Sequence, residues 1–333
     1  DLNIINLTKF ITNIKDRDCV QNILNEFLEF ECSLLAELIS QLQYSNHENS
    51  DTLEPILSEC FTDLINDFQT NPNVLTKNHL KVLRETGLLN TKSLDWLNGF
   101  HLKLFLETKF EPNSIENAIS KQTEWREELK NDENMINQIM LESVRNNCQF
   151  AVEKLFQFSQ TSESISWKFY LKYINLLGTY FSGDKDLWKK IKEFLKQLMK
   201  KSSELNSLKL FILMMITARE LCNCPAERPA DFETYSHWYK LTIGEMTYKN
   251  NKKEDFITIM DLLVKMIEFE EDEKVLKVHI NISISAPAKC NEIVLNYKQF
   301  CRSKLAKILT SNSKDEEMKD VSIVIDDDDD EDY

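Results

Sequence analysis

Apolar residues recur every three or four positions through most of the chain, in segments of about 15 to 27 residues separated by short polar breaks. This spacing places apolar side chains on one face of an α-helix. We therefore predict a mostly helical fold. Two of the longer predicted helices run from Cys19 to Leu42, with Asp18 as the N-terminal cap, and from a cap at Asp132 to Phe158.

The middle of the chain contains two further local patterns. Residues Glu204–Cys222 are apolar on nearly every side of the predicted helix, which indicates a central helix covered on all faces. The stretch from Cys224 to Pro229 begins and ends with Cys-Pro and Arg-Pro pairs, and it predicts the clearest mid-chain loop.

Residues 278–285 follow a different pattern. Val278, Ile280, Ile282 and Ile284 alternate with polar residues, a two-residue period that is typical of a β-strand. No partner strand is evident in the sequence, so two alternatives stay open. The segment is either one short extended strand or an extended linker packed on the last helices.

The rhythm of the predicted helices resembles that of α-solenoids. About a dozen helices, taken in pairs of about 40 to 50 residues, have the repeat length of HEAT and armadillo proteins. The resemblance implies an all-α fold of stacked antiparallel helix pairs. It involves repeat length alone, and a compact irregular bundle is the alternative. We predict a helical repeat region at 1–222, a C-terminal helical region at 230–310 that continues the stack, and a disordered acidic tail or linker at 311–333.

Composition and charge narrow the possible functions. Glycine and proline are scarce, with 5 and 6 residues, which disfavours turn-rich β folds and glycine-rich phosphate loops. The net charge of −15 is concentrated at the C-terminus, because two lysines face eleven carboxylates from Lys314 to Tyr333, a net of −9 that leaves −6 elsewhere. The residues before Lys314 are therefore only mildly acidic, and a negative net charge gives no general attraction to nucleic acids or anionic membranes. Nucleic-acid binding would need a local basic patch.

The eight cysteines form no C-x-x-C pair and lie mostly in apolar helical stretches, which indicates reduced core thiols. The longest apolar run, Leu210–Ile216, is far shorter than a membrane span. The chain lacks a signal-peptide pattern, opens on Asp1 and ends in a charge run, so we expect a piece of a longer protein. We expect a nuclear or cytoplasmic location.

Local motifs of catalytic chemistry are missing from the sequence. It contains no phosphate-binding loop and no G-x-G-x-x-G, G-x-S-x-G or H-E-x-x-H pattern. The five histidines are isolated, and Cys222 with Cys224 lacks a second ligand pair for zinc. We therefore predict no catalytic residue, no metal site and no cofactor, and we expect that the chain is not itself an enzyme.

The segment from Lys185 to Lys201 predicts a basic amphipathic helix. One interpretation makes it an ordinary helix of the stack, with its lysines in water. In the other interpretations the helix binds phosphates, nucleic acid, an acidic partner, a membrane surface, a calmodulin-type groove or the acidic tail of the same chain. The candidate basic surface consists of Lys189, Lys190, Lys192, Lys196 and Lys200.

The most specific local pattern lies at the C-terminus, where a largely β-branched run, Val321–Ile325, is followed directly by acidic residues. It resembles a SUMO-interacting motif, in which an extended segment adds a strand to the SUMO sheet. The resemblance implies that apolar side chains enter a groove and that the acids face its basic rim. An acidic linker is the alternative. The candidate partner-binding residues are Val321, Ile323, Val324, Ile325, Asp326, Asp327 and Asp328.

These patterns predict a non-catalytic interaction scaffold whose helical-repeat surface binds a protein partner and whose tail binds SUMO. The alternative is a non-catalytic segment of a giant helical-repeat protein, such as a large ubiquitin ligase or a transport receptor. A self-contained enzyme is the third and least supported hypothesis.

Overall fold

The computed structural model describes residues 7–44, 53–63, 87, 89–107, 114–128, 135–162, 164–246 and 252–321. All regular secondary structure in these ranges is helical, which confirms the predicted all-α class. The helices are α1 Leu7–Thr12, α2 Arg17–Glu29, α3 Cys32–Tyr44, α4 at 53–63, α5 Thr91–Glu107, α6 Ile115–Glu128, α7 Met135–Asn146, α8 Cys148–Thr161, α9 Trp167–Tyr180, α10 Lys185–Glu204, α11 Leu208–Cys222, α12 Tyr235–Tyr239, α13 Lys253–Ile267, α14 Glu273–Asn281 and α15 Asn291–Val321. A π-helical turn, Lys240–Gly244, continues α12.

The chain divides into two compact units. The first takes the described residues within 1–114, 124–194 and 224–228, and the second those within 115–123, 195–223 and 229–333. The predicted regions 1–222, 230–310 and 311–333 follow chain order, whereas these units interleave along the chain. The predicted division into three regions stays a prediction, and so does the HEAT- or armadillo-like stacking.

In the first unit, neighbouring helices pack through their apolar faces. Helices α1 and α2 pack on α3, α3 packs on α5, and α9 packs on α5, α7 and α8. Leu97, Phe105, Val152, Ile174 and Leu177 are among the side chains buried in this core. Each contributes about 1.5–3 kcal/mol relative to an exposed position, so the apolar faces hold the helices together.

Helix α11 is the central helix of the second unit. Twelve consecutive residues from Phe211 to Cys222 are buried, which confirms the predicted helix covered on all faces. Its first residue is Leu208, later than the predicted Glu204, because the chain turns at Asn206, where φ is +47°. Helices α12 and α13 pack on α11, and α15 packs on α13 and α14.

The predicted helix from Cys19 to Leu42 is broken once, and this corrects the prediction. Helix α2 ends at Glu29, and after Phe30 and Glu31 the chain starts again as α3. The break allows α2 and α3 to pack against each other, which a single straight helix does not permit. The predicted cap is also wrong, because the carboxylate of Asp16, and not that of Asp18, accepts the first-turn amide hydrogen bonds.

A second break divides the predicted helix that ended at Phe158. Asn147 separates α7 from α8, and its side-chain oxygen accepts from the amide of Phe150 at 3.1 Å. The Asn147 amide group also donates to Asp95 at 3.2 Å. The side chain therefore caps α8 and joins it to α5. The predicted cap at Asp132 lies outside the described residues.

The strand predicted near 278–285 is wrong, because its first half is helical. Helix α14 extends to Asn281, and it buries Val275, Leu276 and His279 on one face. Asp272 caps it by accepting from the amides of Lys274 and Val275. Residues 282–287 have no helical structure, and Ser285 donates its amide to the carbonyl oxygen of Gly244 at 2.8 Å. This second half agrees with the alternative of an extended linker.

Candidate interaction site

Helix α10 bears the predicted basic surface, and Asp184 determines where the helix begins. The Asp184 carboxylate accepts hydrogen bonds from the amides of Asp186 and Leu187, both at 3.0 Å. These bonds, the one from Leu187 foremost, hold the pKa of Asp184 below its usual range. The cap satisfies two of the amides that the first helical turn leaves without partners. The lysines that follow therefore have a defined helical register.

The apolar face of α10 attaches the helix to the core. Leu187, Ile191 and Leu198 are fully buried. Phe194 stacks on Phe156 with ring centroids 3.7 Å apart and the ring planes 5° from parallel. Because this face is committed to packing, the lysines are left on the solvent side of the helix.

The five predicted basic residues are exposed or half-buried on α10: Lys189, Lys190, Lys192, Lys196 and Lys200. Lys190 pairs with Glu153, and Lys200 lies 3.7 Å from Glu204 one turn later. Solvent-exposed pairs of this kind contribute about 0–1 kcal/mol each. These two ion pairs therefore add little to the stability of the fold.

Four of the exposed lysines lie in one narrow line, which we call the lysine stripe: Lys185, Lys189, Lys196 and Lys200. At 100° per residue, their spacings of four, seven and four positions place all four within about 60° of the helix circumference. At about 1.5 Å per residue, the stripe is about 22 Å long. Asp186 and Glu193, the acidic residues inside this segment, fall to one side of the line.

The predicted SUMO-interacting residues follow the last helix. Val321 is the final residue of α15. Six other predicted residues lie outside the described part of the chain: Ile323, Val324, Ile325, Asp326, Asp327 and Asp328. The predicted binding segment therefore starts where the long α15 ends.

A buried ion pair joins α11 to the loop between α13 and α14 in the second unit, and sequence reasoning missed it. Arg219 and Glu270 are 5% and 1% exposed, and their charged groups meet at 2.7 Å. The same guanidinium donates to the side-chain oxygen of Gln122 at 2.6 Å and to the carbonyl oxygen of Ile119 at 2.7 Å. Gln122 in turn donates to Glu220 at 2.8 Å. Such pairing offsets the cost of removing the charges from water.

A second buried polar group is the histidine of α14. The two ring nitrogens of His279 lie 2.8 Å from the hydroxyl of Tyr235 and 2.5 Å from that of Tyr297. Burial, with Arg219 and Lys298 nearby, lowers the pKa of His279 to about 3. A neutral imidazole has one donor and one acceptor nitrogen, so His279 bridges the two tyrosines in this form.

Lys298 secures the end of the same helix. Its ammonium group donates to the carbonyl oxygens of His279, in the last turn of α14, and of Ile282, the residue that follows the helix. Burial lowers the pKa of Lys298 to about 8. A cation at a helix C-terminus is favourable because the last carbonyl groups carry partial negative charge. We assign this contact to the stability of α14.

The described residues contain neither a metal-binding cluster nor a membrane-spanning helix. Among them, no three His, Cys, Asp or Glu side chains are grouped so that they could hold a metal ion. None of the helices in these ranges is long and apolar enough to cross a membrane.

Comparison with known proteins identifies the family of this chain. No curated protein matches the sequence significantly. Residues 1–311 match the family model described as the Fanconi anaemia group A protein N terminus. The matched residues include α1 to α10 with the lysine stripe, the buried Arg219 and His279, and most of α15. Because the match extends over almost the whole chain, this protein belongs to the Fanconi anaemia group A N-terminal family.

Proposed function

We propose that this chain is a non-catalytic helical scaffold for protein partners, and that its segment Val321–Asp328 recruits SUMO. The observation that carries the proposal is the sequence order at the C-terminus, where an apolar run follows α15 at once and an acidic run follows the apolar run. The core-bound part of α15, with Tyr297 and Cys301 fully buried, would fix the origin of this segment.

Family membership supports the first part of the proposal. The Fanconi anaemia group A family favours a scaffold-like protein that takes part in protein interactions, in the nucleus or the cytoplasm. The proposed HEAT- or armadillo-like stacking would supply an extended surface for partners. The family match ends at residue 311, so the proposal for the tail depends on the residues of the tail themselves.

The binding mode we propose for the tail is strand addition. Backbone groups of the added strand pair with the edge of the SUMO sheet, while Val321, Ile323 and Ile325 share one side of that strand. Asp326 to Asp328 would face basic residues of SUMO and raise the encounter rate. The segment would have to be extended when bound, so Val321 would leave the last turn of α15.

The test is a titration of isotope-labelled SUMO with the full chain, followed by NMR chemical shifts. We expect saturable shifts along the sheet edge of SUMO, and we expect them to disappear when Ile323, Val324 and Ile325 are all changed to Ala. Those changes remove the apolar contacts and keep every acidic residue. Binding would then require the apolar run and not merely the charge.

A matched control changes three apolar residues that are exposed elsewhere: Leu205→Ala, Ile257→Ala and Leu309→Ala. This variant removes a similar amount of apolar surface, and we expect it to bind SUMO like the unmodified chain. Absence of shifts with the unmodified chain at high micromolar concentration would refute SUMO recruitment. Equal loss of binding in both triple variants would refute the assignment to the tail.

A further inference from the structure

The lysine stripe of α10 carries positive charge that ion pairs among the described residues compensate only at Lys200. Lys185, Lys189 and Lys196 form no ion pair within the ranges that the structure describes. Lys200 pairs only with Glu204 on its own helix, at 3.7 Å, where both side chains are more than half exposed. Four ammonium groups along about 22 Å of one helix face therefore remain available to an anionic partner.

We propose that the acidic run Asp326–Asp332 of the same chain docks on the lysine stripe. The run has seven consecutive carboxylates. At about 3.3 Å per residue, an extended chain of seven residues is about 23 Å long, which matches the length of the stripe. The carboxylates accept charge-assisted hydrogen bonds from the lysine ammonium groups. A lysine tolerates this arrangement because its ammonium is a point charge on a flexible stem that needs no fixed geometry.

The acidic run of the same chain is favoured over an acidic partner for two reasons. A tethered segment has an effective concentration in the millimolar range when its tether spans the two sites, which exceeds that of a free protein partner. A free acidic partner also has to approach a chain with a net charge of −15, whereas the tail carries −9 of that charge itself. Docking the tail therefore removes the repulsion that an outside partner would meet.

The stripe also favours a peptide over a nucleic acid. Nucleic-acid binding is driven by lysines and arginines that neutralise many phosphates, and a negatively charged protein surface repels those phosphates. The total charge of the chain is −15, which opposes the approach of a polyanion. One helix face of about 22 Å suits a single acidic segment.

The experiment is zero-length cross-linking of the full chain with a carbodiimide, which joins a carboxylate to an amine only where the two are in contact. Peptide mass spectrometry then locates the new amide bonds. We expect bonds between the Asp326–Asp332 run and the stripe in monomeric protein, with a yield that does not change over a tenfold dilution. We expect the yield to fall severalfold in 0.5 M NaCl, because salt screens exposed charges beyond a few ångströms.

Charge reversal tests the assignment to the stripe. One variant carries Lys185→Glu, Lys189→Glu, Lys196→Glu and Lys200→Glu. The matched control reverses four other exposed lysines that form no ion pair in the described ranges: Lys121→Glu, Lys240→Glu, Lys274→Glu and Lys289→Glu. Both variants change the net charge equally, and circular dichroism verifies that both remain helical. We expect a change in the pattern of tail cross-links only in the first variant.

Three results would overturn the proposal. Tail cross-links that appear only in dimers and rise with concentration would show docking on a second copy. Cross-links distributed over many lysines, and unchanged when the stripe is reversed, would show non-specific attraction. Absence of tail cross-links at low salt would show that the tail does not contact the stripe.

Discussion

His279 is a buried imidazole whose two nitrogens both meet tyrosine hydroxyls. Its pKa is lowered to about 3 in the folded chain, chiefly by burial, against about 6.5 in an unfolded chain. Between these two values the unfolded state binds a proton that the folded state does not bind. The stabilising contribution is therefore complete above pH 6.5 and is lost as the pH falls towards 3.

We expect the free energy of unfolding to decrease by about 1.4 kcal/mol per pH unit below pH 6.5 on account of this residue, or about 2.7 kcal/mol at pH 4.5. Urea denaturation from pH 7 to pH 4.5 measures it. His279→Gln keeps a donor and an acceptor but does not titrate. The slope of its free energy of unfolding against pH should therefore correspond to nearly one proton fewer taken up on unfolding. The control His237→Gln, at an exposed position, should keep the pH dependence of the unmodified chain. Equal slopes for all three proteins would contradict the assignment.

At the level of elements, Gly244 allows the linker after α14 to lie against the π-helical turn. A Cβ atom at this position would lie 2.8 Å from the carbonyl oxygen of Ser283, closer than real Cβ contacts. Ser285 also donates its amide to the Gly244 carbonyl oxygen at 2.8 Å, which fixes the approach. The lack of a side chain at Gly244 therefore has a packing reason.

We expect Gly244→Ala to destabilise the protein by about 1–3 kcal/mol, the usual cost of overpacking, because the atom it would meet belongs to the backbone. Thermal denaturation compares it with Gly183→Ala, where a Cβ would have no neighbour within 4 Å. The Gly183 variant should be unchanged, or more stable by up to about 1 kcal/mol through the unfolded chain. If both substitutions had the same effect, the close approach at Gly244 would not matter for stability.

Sequence patterns predicted best the helices whose distribution of apolar residues is unambiguous. Helix α10 combines a one-sided apolar face with the Asp184 cap, and α11 is apolar on every side, so each pattern allows one interpretation. The error at 278–285 has the opposite cause. There the alternation continues through a segment whose first half is helical, because Val275, Leu276 and His279 pack as a helical face and Asp272 caps it.

Helix limits were predicted less well, because they depend on backbone geometry and on contacts between elements. Asp16 and Asp18 are two positions apart, and only the backbone geometry selects Asp16 as the cap. The break near Phe30 depends on the packing of α2 against α3. Arg219 had no visible partner in the sequence, because Glu270 and Gln122 are 51 and 97 residues away. Contacts at such separations leave no periodic pattern.

At the scale of the whole molecule, the charge distribution relates the acidic tail to the lysine stripe of α10. The tail carries −9 of the net charge of −15, and the lysine stripe carries charge of the opposite sign. The proposed SUMO segment, Val321–Asp328, shares Asp326 to Asp328 with the acidic run proposed to dock. A tail that is docked on α10 is therefore unavailable to SUMO, so the two proposals predict competition.

We expect the variant with the four reversed stripe lysines to bind SUMO more tightly than the unmodified chain. If about three quarters of the molecules hold the tail docked, the free fraction is one quarter, and releasing the tail lowers the apparent Kd about fourfold. Isothermal calorimetry of the stripe variant, its matched control and the unmodified chain measures the effect. The control should bind SUMO like the unmodified chain, although its net charge is the same as that of the stripe variant.

The difference between the stripe variant and the unmodified chain should shrink in 0.5 M NaCl, because screening releases the tail from the stripe of the unmodified chain, whereas the tail of the variant is already free of it. Tighter binding by the stripe variant at low salt, with convergence at high salt, would show that α10 restrains the tail. Equal Kd values at both salt concentrations would leave SUMO recruitment intact and refute the restraint. SUMO binding therefore tests one proposal, and its dependence on the stripe lysines tests the other.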